Sequence, residues 1–239
     1  MKLLASTRSV GIGLVFLLTL IGSAGTAKAA PILIEDFDNV AALSGGGWSL
    51  INNSTPGGAT GWFQGNSGVF GAESGAANSY IAANFLGADF GGTISEWLLS
   101  PEMTLSTGDI LTFAARTDAA IFGDQLEVRL STNGTSSNVG ASATSVGDFS
   151  YLLATLNPLD DADWATYSVA ITGLAGPTSA RLAFRYFVDD TSVNGSYIGI
   201  DSLSVDPNPV PEPSTLALVG TGMLASVRSW RRRRAARLA

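Results

Sequence analysis

Between residues 30 and 206 the apolar residues recur at every second position in short runs, each broken within a few residues by glycine, asparagine, serine or proline. A side-chain period of two belongs to a strand with one face buried, and runs this short cannot supply the three to four turns of an amphipathic helix. No stretch before residue 214 has helical periodicity. The alternation is clearest over Asp124 to Ser131, where Leu126, Val128 and Leu130 share one face and Gln125, Glu127, Arg129 and Ser131 the other. Leu182, Phe184, Tyr186 and Val188 repeat it against Arg181 and Arg185, and Leu111, Phe113 and Ala115 do so more weakly. Further candidate strands are Ile32–Phe37, Trp48–Ile51, Gly61–Phe63, Asn78–Phe85, Trp97–Leu99, Phe149–Leu153, Tyr167–Ile171 and Tyr197–Val205, about eleven in all. Asn133-Gly134 and Asn194-Gly195 supply turn residues, and each is expected to close a hairpin. Many short antiparallel strands imply an all-β fold, a β-sandwich of jelly-roll type.

The two ends are of another kind. Residues 1–29 carry Lys2 and Arg8, an apolar stretch from Val10 to Ile21, and the small-x-small sequence Ala27-Lys28-Ala29. This is the layout of a secretion signal cut by signal peptidase between Ala29 and Ala30. At the other end Pro211-Glu212-Pro213 precedes an apolar run from Leu216 to Val227, followed by Arg228, Arg231, Arg232, Arg233, Arg234 and Arg237. The prolines keep the tripeptide extended and accessible. A helix over residues 214–230 would be about 25 Å long, a short span for a hydrocarbon core of about 30 Å. The arginines would stay cytoplasmic.

These three parts in this order resemble the PEP-CTERM sorting signal of Gram-negative bacteria. The resemblance covers the last thirty residues and implies an exosortase-type membrane protease, cleavage at Pro211, Glu212 and Pro213, and release to the cell surface or exopolysaccharide matrix after transient anchoring in the inner membrane. An uncut membrane anchor is the alternative.

Nine of the thirteen basic residues lie in the two ends, and all twenty acidic residues lie between them. From Ala30 to Pro213 only Arg116, Arg129, Arg181 and Arg185 oppose those carboxylates, for a formal charge of −16 and no lysine. A nucleic-acid partner is excluded on charge, since phosphates require a basic surface. Solubility, cation affinity and mutual repulsion all remain compatible with the acidity. With no cysteine, an exported chain must be held by its core.

The middle region resembles the choice-of-anchor J domain, related to cleaved-adhesin and MAM-like jelly rolls. The matching residues are Glu35-Asp36-Phe37, Gly47-Trp48, Gly61-Trp62, Tyr80-Ile81-Ala82, the run from Trp97 to Pro101, the run from Asp124 to Arg129, and the run from Ile200 to Val205. The resemblance implies an extracellular binding or structural domain without catalytic activity.

Strand parity places Glu35 on the face of Leu33 and Phe37, and Asp201 on the face of Leu203 and Val205, so both acids are expected to point inward. Buried carboxylates need a partner, and calcium suits them because it takes six to eight oxygen ligands in irregular geometry. Jelly rolls similar to this one often bind calcium where first and last strands meet; Glu35, Asp201 and Asp38 form the candidate set. Two alternatives stand beside it: Ile198 and Ile200 define the interior and leave Asp201 outside, or Arg116 or Arg185 pairs with either acid. The Asp160–Asp163 and Asp189-Asp190 clusters lack EF-hand spacing and are expected to be solvated turns.

Trp62 and Phe63, in a glycine-rich segment, are the candidate exposed platform for a carbohydrate; Trp48, Trp97 and Trp164 are expected to pack. Sequons at Asn52, Asn53, Asn133 and Asn194 carry no weight beside a bacterial sorting tail. Without histidine, and with no lysine between the ends, there is no Ser-His-Asp, Cys-His or Ser-Lys arrangement. A two-carboxylate glycosidase stays chemically open, but nothing selects the pair. The expectation is an exported matrix or surface protein that binds or builds, with a carbohydrate-binding module as the alternative.

Overall fold

The computed structural model describes residues 29–118, 122–159 and 161–208, with positions 222 and 228. Ala29–Pro211 is one compact unit. The signal segment and the Pro211-Glu212-Pro213 tail lie outside the described residues, so the expected processing sites are represented by Ala29 and Ala30 alone, both exposed.

The described chain holds thirteen strands: β1 (Leu33–Glu35), β2 (Ser49–Asn52), β3 (Thr55–Gly57), β4 (Phe63–Gln64), β5 (Ile81–Asn84), β6 (Ala88–Leu99), β7 (Met103–Leu105), β8 (Ile110–Thr117), β9 (Asp124–Ser131), β10 (Tyr151–Leu159), β11 (Ala165–Ala170), β12 (Thr178–Val188) and β13 (Tyr197–Asp206). Two 3-10 turns, η1 (Val40–Gly46) and η2 (Phe85–Gly87), complete the elements. One sheet runs β11-β8-β13-β5-β4 with β1 on β13, and the other runs β10-β9-β12-β6-β2 with β3 on β6 and β7 on β12. Every pairing is antiparallel. The expected all-β antiparallel sandwich is the observed architecture.

The core between the sheets takes the residues that the alternation selected: Leu126, Val128 and Leu130 from β9, Leu182, Phe184, Tyr186 and Val188 from β12, Leu111 and Phe113 from β8. Part of each outer face is covered as well, which the period could not announce. Residues 132–150 fold over β6 and β12, packing Val139 and Phe149 on Trp97, Leu99 and Ala183. Arg185 locks this flap from beneath, donating to Glu127 at 3.1 Å and to the Ala143 carbonyl at 2.5 Å while its guanidinium lies 5.1 Å from the Trp97 ring centroid. On the other sheet Phe70, Tyr80, Ala82 and Tyr197 form a second cluster with Phe63 and Trp164 at its margin. Gly199 leaves room for it, since a Cβ there would stand 2.9 Å from Trp164 and 3.0 Å from both Phe70 and Tyr80.

Three expectations need correction. Asn133-Gly134 opens the 132–150 flap rather than a tight hairpin, although β9 and β10 do pair beyond it. Asn194-Gly195 connects β12 and β13, which lie in different sheets, so it turns a corner between layers. The strand ending at Leu99 begins at Ala88, far earlier than Trp97. Its alternation is hidden because Asp89–Gly92 bulges outward: Thr55 pairs with Thr93 but Gly57 pairs with Ala88, and Gly91 takes a φ of 76°.

Candidate functional site

Among the described residues the most exposed large apolar side chains, Phe90 and Val193, sit at the end of the sandwich where β13 begins. There η2 and the Asp89–Gly92 bulge meet residues 189–196 and Phe122. The segments are laced by main-chain bonds: Phe85 N–H to Ser196 O at 2.8 Å, Thr191 N–H to Gly92 O at 3.0 Å, and Gly195 N–H to Phe122 O at 3.3 Å. The Thr191 hydroxyl donates to Asp89 O at 2.7 Å and that of Thr93 to Asp189 O at 2.9 Å. Held this way, the loops present Phe90 with 87% of its surface exposed, Val193 with 67%, Phe85 with 50%, and also Leu86 and Phe122. Asp89, Asp189 and Asp190 stand among them, and the segments 85–93 and 189–196 contain no lysine or arginine. Exposure of that many large apolar side chains on adjoining loops marks an interaction surface.

Beneath this pole lies a buried polar floor. Asp124 accepts from the Tyr186 hydroxyl at 2.6 Å, Ser196 N–H at 2.9 Å and the Thr117 hydroxyl at 3.1 Å. Burial still pushes its carboxyl above the usual aspartate range, against the pull of these donors. Glu96 has no such help. It follows Ile94 on the inward face of β6, is fully buried, and neither carboxylate oxygen has a hydrogen-bond partner. A Cβ at Gly87 would collide with Glu96 Oε1, so the glycine of η2 is what admits the side chain. Burial alone pushes its pKa up to about 8, and the carboxyl is neutral at pH 7.

The residues singled out from sequence take other places. Trp62 is 6% exposed and packs in the main core, with its indole N–H unpartnered, and Phe63 is half-buried at the edge of the outer aromatic cluster. The pair is not an exposed platform: β4 joins the sheet edge beside β5 and carries both rings inward or under the 65–80 loop. Trp48 and Trp97 pack as expected. Trp164 is half-buried and donates to Gly71 O at 2.8 Å. Among the described residues Phe90 is the most exposed aromatic, ahead of Phe85, Tyr151 and Phe122, and the signal for Phe90 is its position between Asp89 and Gly91-Gly92.

Asp201 is fully buried but does not point into the main core. Ile198, Ile200, Leu203 and Val205 all face that core, because β13 bulges between Asp201 and Ser204 and Ser202 takes a φ of 49°. The inward expectation fails since one extra residue reverses the parity on which it relies. Asp201 instead lies on the outer face under the 73–79 loop, accepting from Glu73 N–H at 2.9 Å, Ser74 N–H at 3.1 Å and its neighbour Ser202 N–H at 2.6 Å. Burial raises its pKa to about 6 despite these donors, and Glu73 adds to the rise. Glu35 does share the inward side, opposite Leu203, and is half-buried with Oε1 accepting Phe37 N–H at 2.9 Å. Burial raises its pKa, and Asp36 and Asp38 raise it further. Asp38 is exposed. Neither Arg116 nor Arg185 serves as the partner: Arg185 pairs with Glu127, and Arg116 stacks 4.1 Å from the Phe70 ring centroid and donates to Ala162 O. Among the described residues no three acidic side chains form a metal-holding group. Asp190 caps its own turn, accepting from Ser192 N–H at 2.8 Å, as a solvated turn should.

Residues 209–234 match the PEP-CTERM protein-sorting motif. That motif implies export, C-terminal membrane anchoring before processing, and an exosortase-type processing system. No curated protein matches the chain. Among solved structures it is similar to the K1 cleaved adhesin domain of Lys-gingipain from Porphyromonas gingivalis W83, at 20% identity over 74% of this chain and 98% of that one, with a TM-score of 0.52. It is also similar to the K2 cleaved adhesin domain of Lys-gingipain, at 17% identity over 72% of this chain and 98% of that one, with a TM-score of 0.53. Identity at this level speaks for the sandwich fold.

Proposed function

We propose that the chain is a surface- or matrix-associated bacterial protein that acts by binding or as a structural element rather than by catalysis, and that its tail is cut at Pro211-Glu212-Pro213. The sorting motif at 209–234 is the observation that carries this reading. The cleaved-adhesin-like fold is in keeping with a binding role. So is the exposed apolar pole, which sits in a domain with no histidine or cysteine with which to build common catalytic centres. The carboxylate-only glycosidase has no observation in its favour.

Replacing Pro211, Glu212 and Pro213 together by alanine tests the tail. The unaltered protein is expected to reach the extracellular or surface fraction with peptides that end near Pro213 and lack Arg231 to Arg234. The variant is expected to stay in the membrane fraction with those arginines present. Recovery of Arg231 to Arg234 in the surface form of the unaltered protein would replace processing with a permanent anchor.

Calcium at Glu35, Asp38 and Asp201 is a separate proposal, supported by donors that are all hard oxygens; with Glu35 on the inner side of its sheet and Asp201 on the outer, one ion joins them only after these side chains rearrange. Main-chain carbonyls and water would have to complete its coordination. Calcium at about a hundred times its Kd is expected to raise the melting temperature of the processed protein by roughly 5–10 °C, and a chelator to reverse it. Superimposable curves remove the ion.

A further inference from the structure

We propose that the pole formed by Phe85, Leu86, Phe90 and Val193 is a platform for an uncharged polysaccharide chain. This inference rests on the binding role proposed above and names the ligand class.

Three observations select that occupant. The first is position. β13 runs from Tyr197, beside the pole, to Asp206 at the far end, about 30 Å away at roughly 3.3 Å per residue. The two ends of the domain meet at that far end, where Ile32 N–H donates to Val205 O at 2.7 Å and Asn208 N–H to Asp109 Oδ1 at 2.8 Å. The last described residues of the sandwich therefore lie at the end opposite the platform, which leaves the platform clear of the point where the chain departs.

The second is charge. The platform segments carry Asp89, Asp189 and Asp190 and no basic side chain, on a domain of formal charge −16. Anionic polymers, anionic lipid surfaces and a second copy of the same acidic domain are repelled at this pole. The third is chemistry. An exposed ring presents a face to the C–H side of a pyranose, and nearby carboxylates accept hydrogen bonds from its hydroxyls. Phe90 is the ring for this role, and Asp89, Asp189 and Asp190 are acceptors on the same loops. The loops are pre-ordered by the main-chain lacing at Thr191, Gly92, Phe85 and Ser196, so ordering costs little on binding.

The test is affinity electrophoresis of the processed, exported protein in native gels containing hydroxyethylcellulose, laminarin or galactomannan, with alginate as the anionic comparison. Retardation is expected in at least one neutral gel and not in alginate. Phe90→Ala, whose side chain packs on little, should melt like the unaltered protein and lose roughly tenfold or more in affinity. Val193→Ser should weaken retardation in the same gel by a smaller factor. The proposal is overturned by free migration in all three neutral gels, by retardation that Phe90→Ala leaves unchanged, or by retardation in alginate alone. Sedimentation of the unaltered protein as a dimer that Phe90→Ala dissociates would make a second copy the occupant instead. None of these outcomes alters the terminal peptides that report processing, so failure here is distinct from failure of the export reading.

Discussion

The sandwich is expected to lose stability as the pH rises from about 4.5 to 8, and Glu96→Gln is expected to remove most of that dependence. In the unfolded chain Glu96 releases its proton near the ordinary value of 4.5; in the folded protein burial holds it to about 8. Between these values the folded state binds the extra proton, so folding is favoured by acid. The contribution is fully present below 4.5 and is lost as the pH climbs through 8. At about 1.4 kcal/mol per pH unit the loss between pH 4.5 and 7 is roughly 3 kcal/mol, or about 6–12 °C in melting temperature for a domain of this size. Glu35 and Asp201 are shifted upward too and add slope of the same sign at lower pH. The isosteric amide cannot ionise, so the Glu96→Gln variant should melt higher than the unaltered protein at pH 8 and follow a flatter curve above pH 6. Glu96→Leu should go further at high pH, because the amide still has no partner between the sheets. Parallel pH profiles for the unaltered protein and the glutamine variant would show that Glu96 has found a partner. Tyr186 faces Glu96 across the β12–β6 pair, and its hydroxyl is committed to Asp124, which is why it offers Glu96 nothing.

Arg181→Met is the other substitution with a large expected cost, about 3–5 kcal/mol of unfolding free energy. Arg181 is buried on the outer face of β12, and its guanidinium donates to Ser100 O, to Ser136 O at 3.0 Å, to Gly47 O at 2.7 Å and to Ser49 Oγ at 3.0 Å. Those acceptors belong to the exit of β6, the 132–150 flap and the entry to β2, so one side chain ties three segments to the sheet. Methionine fills the volume but strands the carbonyls, which is where the cost arises. Arg181→Lys should recover only part, since one ammonium cannot span a fork-shaped set of acceptors. Urea denaturation of each variant measures the effect, and a loss below about 1 kcal/mol for methionine would mean that water takes over the carbonyls.

What is legible in the sequence follows from side-chain period, and what is hidden follows from breaks in period. β9 and β12 are plain because Leu126 to Leu130 and Leu182 to Val188 alternate without interruption, and their arginines fall on the outward face as expected. β6 is visible only at Trp97 to Leu99, because the Asp89–Gly92 bulge scrambles its beginning; continued backwards, the same parity puts Glu96 on the inward face with Leu98. Asp201 shows the same limit, since a single bulge turns it to the outer face. The flaps that cover Trp97 and Tyr80 are invisible for another reason: alternation reports that one face of a strand is apolar, and says nothing of a loop that returns to cover the other. Phe90 escapes notice because tryptophan is the expected stacking ring, while the fold uses Trp48, Trp62 and Trp97 for packing.

The pairing of β1 with β13 at the end where the chain departs has a mechanical consequence. A pull transmitted through residue 208 enters β13 at Asp206 and runs along a ten-residue strand flanked by β8 on one side and by β1 and β5 on the other. If the opposite pole is held by a polymer, tension lies parallel to the strands, and the bonds of β13 bear it together in shear rather than parting one by one as in a zipper. Along that direction β13 is the element that would carry load between residue 208 and the opposite pole.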